Sequence, residues 1–313
     1  METPVQDPLS ASGVDSLTQR LRNSRRARAN EKILQEKAVE EKTARERAAA
    51  RAQQAQNAFY SGLDSAGGYF AFVGRFFARF WRRPFEGREL LNQMDEVGSR
   101  SLLLTGVVGF SIGVVLAMQS RGTLMRFGAE SFLPSMLALS VFKEIGPVLT
   151  SLVLAGRLGA GMGAELGSMK VTEQIDALEV AALKPFHYLV VTRVLACVLM
   201  FPVMTMITDT LAMMGGFLEA QLAGGMDYRV FISTAFDSMR FVDVIVDTMK
   251  TSIFGFIVGS VSCYLGYTVR GGTREVGRAA MQAVVVSSLL ILLADVAVVR
   301  ASILIFGDVS GAS

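Results

Sequence analysis

The sequence predicts an all-α membrane protein. It reads as a charged cytoplasmic helix near the N-terminus, an amphipathic helix in the membrane interface, and about five transmembrane helices, with a short charged helix between the second and third. Three observations carry this prediction. Apolar residues make up 51% of the 313-residue chain and charged residues only 19%, for a mean hydropathy of +0.41. Charge is unevenly placed, since residues 1–90 hold 16 of the 31 lysines and arginines. The body that follows contains runs with few or no charges, long enough to cross a hydrocarbon core of about 30 Å.

The same composition excludes several functions. A net charge of +3 gives no basis for nucleic-acid binding. Cys197 and Cys263 both fall in apolar runs and read as small inert hydrophobes. There is no CxxC, and His187 is the only histidine, so neither a metal site nor histidine-based acid–base chemistry is implied.

The elements follow in chain order. Residues 1–18, rich in Pro, Ser, Asp and Gly, read as a disordered tail. Residues 19–60 consist largely of helix formers, with Lys37/Glu41, Glu41/Arg45 and Lys42/Glu46 four apart. Leu21, Ile33, Leu34 and Val39 do not sustain a heptad, which leaves a charged cytoplasmic helix or a docking arm for a partner. The first 60 residues contain no apolar run of signal-peptide length. Residues 61–68 form a linker, and 69–313 the membrane domain. Within it, 69–90 places Phe70, Val73, Phe76, Phe77 and Phe80 at helical spacing, with Arg75, Arg79, Trp81, Arg82 and Arg83 interleaved. That pattern suits a helix with aromatics in the acyl boundary and arginines toward lipid phosphates.

Five spans follow, at about 101–120, 132–156, 188–222, 251–269 and 283–306. The first is uncharged, and the second is broken by Lys143-Glu144 and Gly146-Pro147. The third holds Arg193, Pro202 and Asp209, and is expected to tilt or kink with one end outside the core. The fourth is uncharged, and the fifth carries Asp295 and Arg300. Arginines at 75, 79, 82, 83, 88 and 100 place the N-terminal side in the cytoplasm, and the 270–278 loop agrees with three arginines against one Glu. Arg121, Arg126 and Arg229 remain on the opposite side.

Gly106, Gly109 and Gly113 in the first span, and Gly255, Gly259 and Gly266 in the fourth, have the spacing that lets helices approach closely. LAGRLGAGMGAELG (154–167) lacks G-K-[ST] and follows an apolar helix, so it is no phosphate loop, and any ATP hydrolysis belongs to another chain. Lys143 and Glu144 lie near the middle of a span, where charges need a partner or a water-filled cavity. They read as an ion pair, mutual or interhelical, or as a polar contact for a substrate headgroup. Arg193, Asp209, Asp295 and Arg300 read the same way, or as residues near an interface. Between spans two and three, a helix over about 171–184 would carry a stripe of Val171, Ile175, Leu178 and Ala182, with Lys170 and Glu173 turned away and Pro185 ending it. It is either an amphipathic connector or a helix whose acidic face meets a soluble subunit.

Four motifs then stand in one order and spacing: Glu144–Pro147 (EIGP), Ala155–Arg157 (AGR), Ala164–Gly167 (AELG) and Glu173–Leu178 (EQIDAL). Together they resemble the MlaE family of ABC-transporter permeases, the membrane subunits of MCE-type lipid transport systems, over about residues 69–308. The resemblance implies an interfacial helix plus about five membrane helices. It also implies a permease homodimer with two ATPase copies and a periplasmic MCE-domain ring, and phospholipid in a cavity at the dimer interface. The chain itself would be non-catalytic and hold no cofactor, with ATP and Mg in the partner ATPase. Glu173, Gln174, Ile175, Asp176, Ala177, Leu178 and Glu179 would form the coupling helix. Lys143, Glu144, Ile145, Gly146 and Pro147 are the candidates for the lipid cavity, with Lys143 where relatives often carry Arg. Gly156, Arg157, Glu165 and Gly167 would be structural. The expected location is a bacterial inner membrane with the N-terminus cytoplasmic, and a plastid inner envelope is the second choice. Two other readings are an ion-driven secondary transporter with Glu144, Asp209 and Asp295 as its relay, and a scaffold recruiting partners through 19–57.

Overall fold

A computed structural model describes residues 66–80, 87–237, 239 and 241–306. The expected tail at 1–18, the helix at 19–60, most of the linker, and Trp81, Arg82 and Arg83 lie outside the described residues. Helix α1 covers 66–80, α2 Gly87–Val97 and α3 Ser99–Arg126. A nearly continuous helical rod follows: α4 (Leu133–Ser140), a π turn (Val141–Ile145), α5 (Gly146–Leu154), a second π turn (Ala155–Gly159) and α6 (Ala160–Val171). After the short α7 (Gln174–Val180) and a π turn at Phe186–Val191 come α8 (Thr192–Gly224), α9 (Tyr228–Asp237), α10 (Phe241–Tyr267) and α11 (Thr273–Phe306). No strand occurs among the described residues. Among the described residues, five helical stretches are long and apolar enough to cross a membrane: Gly87–Arg126, Glu130–Val171, Phe186–Gly224, Asp247–Tyr267 and Thr273–Ala301. The chain is an all-α, multi-pass membrane protein, with the number of spans the sequence predicts.

Lipid offers no hydrophobic drive for helix association, so close backbone approach has to supply the packing. The glycines of α3 and α10 provide it against α8. A Cβ at Gly113 would overlap the Ala212 carbonyl, and one at Gly109 would lie 2.6 Å from Thr208. Gly255 abuts Cys197 and Phe201, Gly259 abuts Val194, and Gly266 abuts Gly163 and Leu166 of α6.

Three expectations need correction. The second span does not stop at residue 156 but runs as helix to Val171. Its glycine-rich end is held by small-residue packing, Gly163 against Ala280 and Ala283 and Gly167 against Val269 and Val276, which overrides the poor helix propensity of glycine. The expected single helix over 171–184 is α7, only seven residues long, because Val171 closes α6 and the backbone turns at Thr172-Glu173. Glu173 (φ 59°) and Ala182 (φ 58°) are left-handed at the two edges of α7. At the second, Ala182 N–H donates to Glu179 O (3.1 Å) and Leu183 N–H to Leu178 O (3.1 Å), a Schellman ending with alanine where glycine is usual. So the helix ends at Val180, before Pro185. Finally, α1 does not offer all its aromatics to lipid. Phe72 and Phe76 are buried against Phe186, Tyr264, Tyr267 and Phe256, while Phe70 and Phe77 face outward with Arg75 and Arg79. The Arg79 guanidinium lies 5.1 Å over the Phe186 ring, and Tyr69 Oη and Ser260 Oγ share a 2.8 Å hydrogen bond.

Gly113→Ala forces backbone against backbone and is expected to cost about 1–3 kcal/mol. Gly122→Ala, which meets nothing within 4 Å, should leave stability unchanged or raise it by up to about 1 kcal/mol through helix propensity. Thermal unfolding of the two purified variants in one detergent checks the contrast.

Candidate functional site

The Glu144 region sits on a π turn, where hydrogen bonding i→i+5 widens the helix. Gly146 N–H donates to Val141 O across it. Pro147 follows and has no N–H, so the Lys143 carbonyl loses its ordinary i+4 donor. Lys250 of α10 fills that position: its Nζ donates to Lys143 O at 2.7 Å and to Glu144 Oε2 at 3.2 Å, and forms an ion pair with Asp295 Oδ1 of α11 at 3.2 Å. The Lys250 side chain is 3% exposed and that of Glu144 48%. One buried ammonium thus joins the second, fourth and fifth spans and holds two carboxylates, with Glu144 turned partly outward.

Glu144 and Asp295 lie at the edge of a cleft of about 630 Å³. Its other walls are Ser111, Ile112, Val115 and Leu116 of α3, and Ile145, Val148 and Leu149 of the rod. These are the first, second and fifth spans. Of the five cavity candidates, Glu144 and Ile145 line the cleft. Gly146 and Pro147 are buried, and Lys143, itself exposed, contributes its carbonyl to Lys250 and has a further interaction of its own. Arg193 and Asp209, read as ion-pair members, polar contacts or residues near an interface, are buried in protein at 3% and 0% exposure, and Arg193 pairs with Glu165. Asp295 belongs to the Lys250 cluster, and Arg300 is exposed.

Toward the end of the rod that leads into α7, Arg157 binds the Ser101 hydroxyl, donates to Glu96 O (3.3 Å) and pairs with the Glu96 carboxylate (3.6 Å). Glu165 takes a 2.6 Å charge-assisted bond from Arg193 of α8. Both tie the rod to its neighbours. Gly167 packs on Val269, just past α10, and on Val276 of α11, whereas nothing lies within 4 Å of a Cβ at Gly156. In α7, Ile175 is buried and Leu178 half-buried against the α1 aromatic cluster. Asp176 is bound by Lys170 at 2.8 Å. Glu173, Gln174, Ala177 and Glu179 are exposed, and so are Val180 (90%) and Leu183 (53%).

Lys250 is the residue that sequence reasoning missed. It stands one position before the apolar run taken as the fourth span, where a lysine reads as a flank. The signal was Gly146-Pro147, which frees a carbonyl inside a membrane and so calls for an outside donor.

The family profile described as Permease MlaE matches residues 90–301. The chain belongs to the MlaE permease family. A probable ABC transporter permease protein of Rickettsia typhi is 39% identical over 206 residues, covering 66% of this chain and 80% of the relative. One from Synechocystis is 33% identical, covering 72% and 86%. The chloroplastic protein TRIGALACTOSYLDIACYLGLYCEROL 1 of Arabidopsis thaliana is 32% identical, covering 71% and 64%. In this MlaE-family permease, the site combines an apolar cleft with a charged cluster at its rim and, among the described residues, no group of His, Cys, Asp and Glu fit for a metal.

Lys250→Met removes the one cation that Glu144 and Asp295 share and is expected to cost on the order of 3 kcal/mol. Adding Asp295→Asn should recover part of that loss. A double-mutant cycle from thermal unfolding checks it, and additive losses would show that the pair is not coupled.

Proposed function

We propose that this permease is the membrane subunit of an ATP-driven transporter moving phospholipid or a related amphiphile between membranes. The cleft carries the reading: walls of Ile112, Val115, Leu116, Val148 and Leu149 suit acyl chains, and the Lys250 cluster at its rim suits a polar headgroup. The cleft lies on the flank of the single chain, and a second copy of the permease would enclose it. The Arabidopsis relative has a galactolipid in its name, which supports a lipid cargo.

ATP is bound and hydrolysed by a separate subunit docked at α7 on the cytoplasmic side of a bacterial inner membrane. Asp176 is already held by Lys170, so Glu173 and Glu179 make the acidic contact and exposed Val180 and Leu183 supply the apolar one. Ile175 and Leu178 anchor α7 to the aromatic cluster under α1, and α6 connects it through the two π turns to Glu144. A push on α7 therefore reaches the cleft along one rod. An MCE-domain protein on the opposite side receives or supplies the lipid. Lys250 occupies both Glu144 and Asp295, which speaks against a carboxylate relay of an ion-driven carrier.

Purification of the full complex from native membranes, with mass spectrometry of its chains and lipids, tests this directly. Wild type should carry an ABC ATPase and phospholipid, and absence of both sinks the reading. Val180→Asp with Leu183→Asp should abolish ATPase co-purification while the permease stays monodisperse. Val148→Trp should keep the ATPase yet lower bound lipid roughly tenfold, equivalent to about 1.4 kcal/mol, by filling the cleft.

A further inference from the structure

Behind the cleft, the third span carries a carboxylate that the transport reading does not use. Asp209 lies midway along α8 and is fully buried, and neither of its oxygens has a hydrogen-bond partner among the described residues. The room for it is made by Gly146, since a Cβ at that position would overlap Asp209 Oδ1. The same point lies 2.8 Å from the Val141 carbonyl oxygen, at the start of the π turn that presents Glu144. Both oxygens thus border the space that the missing Gly146 side chain leaves, and neither Asp209 oxygen has a donor there among the described residues. A carbonyl has two lone pairs, and Val141 O has one in use by Gly146 N–H, so it can still accept a second bond.

Among the described residues, no neighbouring cation resolves this. Helix α3, packed on α8 here, has no charged residue between Arg100 and Arg121. The rod brings Lys143, which is engaged elsewhere, and Glu144, which is bound to Lys250. Helix α10 brings Asp247, which has its own interaction, and Lys250, which already serves three oxygens. Helix α11 brings Asp295, held by the same lysine. On α8 itself, Arg193 is committed to Glu165. An isolated carboxylate inside a protein within a membrane is costly, and an unmet buried acceptor costs about 1–3 kcal/mol by itself. A divalent ion takes about six oxygen ligands, and two oxygens converge here. A single hydrogen between the two oxygens satisfies both.

We propose that Asp209 is a proton-binding site inside the bundle, its carboxyl donating a hydrogen bond to the Val141 carbonyl and so holding the turn that presents Glu144 to the cleft. Protonation would set the geometry of that turn, and loss of the proton would place two acceptors in opposition and open it. The site is a property of the permease chain and holds whatever the cargo is.

The test is infrared spectroscopy of the full-length permease in lipid nanodiscs, without the ATPase, titrated with pH in H2O and D2O. Wild type should show a carboxylic-acid carbonyl band at neutral pH that shifts in D2O. The band should be missing from Asp209→Asn and retained in the double variant Glu144→Gln/Asp295→Asn. A wild-type spectrum with no acid band beyond that of Asp209→Asn overturns the proposal. So does loss of the band in the double variant, which also decides the matter should Asp209→Asn fail to assemble. Sodium that removes the band and raises the wild-type melting temperature, where potassium does not, overturns it in favour of a metal-ion site.

Discussion

The Lys250 ammonium is the interaction on which the rest of this structure depends. A membrane interior tolerates neither an orphan carbonyl nor an isolated charge. Pro147 creates the first and Glu144 and Asp295 the second, and one lysine answers all three. In doing so it fixes the rod, α10 and α11 relative to each other at the level of the cleft. Without that bond the π turn would have no reason to face α10, and Glu144 would have no partner to hold it at the rim.

Around this point the frame is set by close approach. Glycines of α3 and α10 meet the backbone of α8, so the bundle centre is stiff and displacement is directed to its edges. The stored strain also lies at an edge. Glu173 and Ala182 hold left-handed conformations that cost about 1–2 kcal/mol each for a residue with a Cβ. They bracket α7, which Ile175 and Leu178 attach to the aromatic cluster along one face. A seven-residue helix with strained ends is thus held along one face only, and the rod beside it is interrupted at its two π turns, the second carrying Arg157 and the first Glu144.

What could be read from the sequence was whatever repeats along one helix. The five spans, the glycine faces and the unusual charge of Lys143-Glu144 all follow from local pattern. The errors came where a neighbour decides. Glycine-rich 156–167 reads as a loop until α10 and α11 supply small-residue packing that keeps it helical. Val171 fits the stripe of α7 by spacing, yet the turn at Thr172-Glu173 assigns it to α6. Phe76 suits lipid by periodicity, but Phe256 and Phe80 take it inward. Lys250 could not be told from a flanking lysine, because its three oxygen partners lie more than forty residues away on two other spans.

The tetrapeptide Glu144-Ile145-Gly146-Pro147 then has a physical explanation residue by residue. Glu144 puts a charge at the rim of the cleft, and Ile145 lines its apolar wall. Gly146 leaves out the one Cβ that would strike Asp209. Pro147 withholds the one N–H that would compete with Lys250 for the Lys143 carbonyl. Alanine at 146 would displace the buried carboxylate, and any other residue at 147 would supply the missing donor and weaken the call for a lysine on α10. The four residues occur together because two buried side chains, Lys250 and Asp209, each require the backbone they meet to lack something that ordinary residues provide.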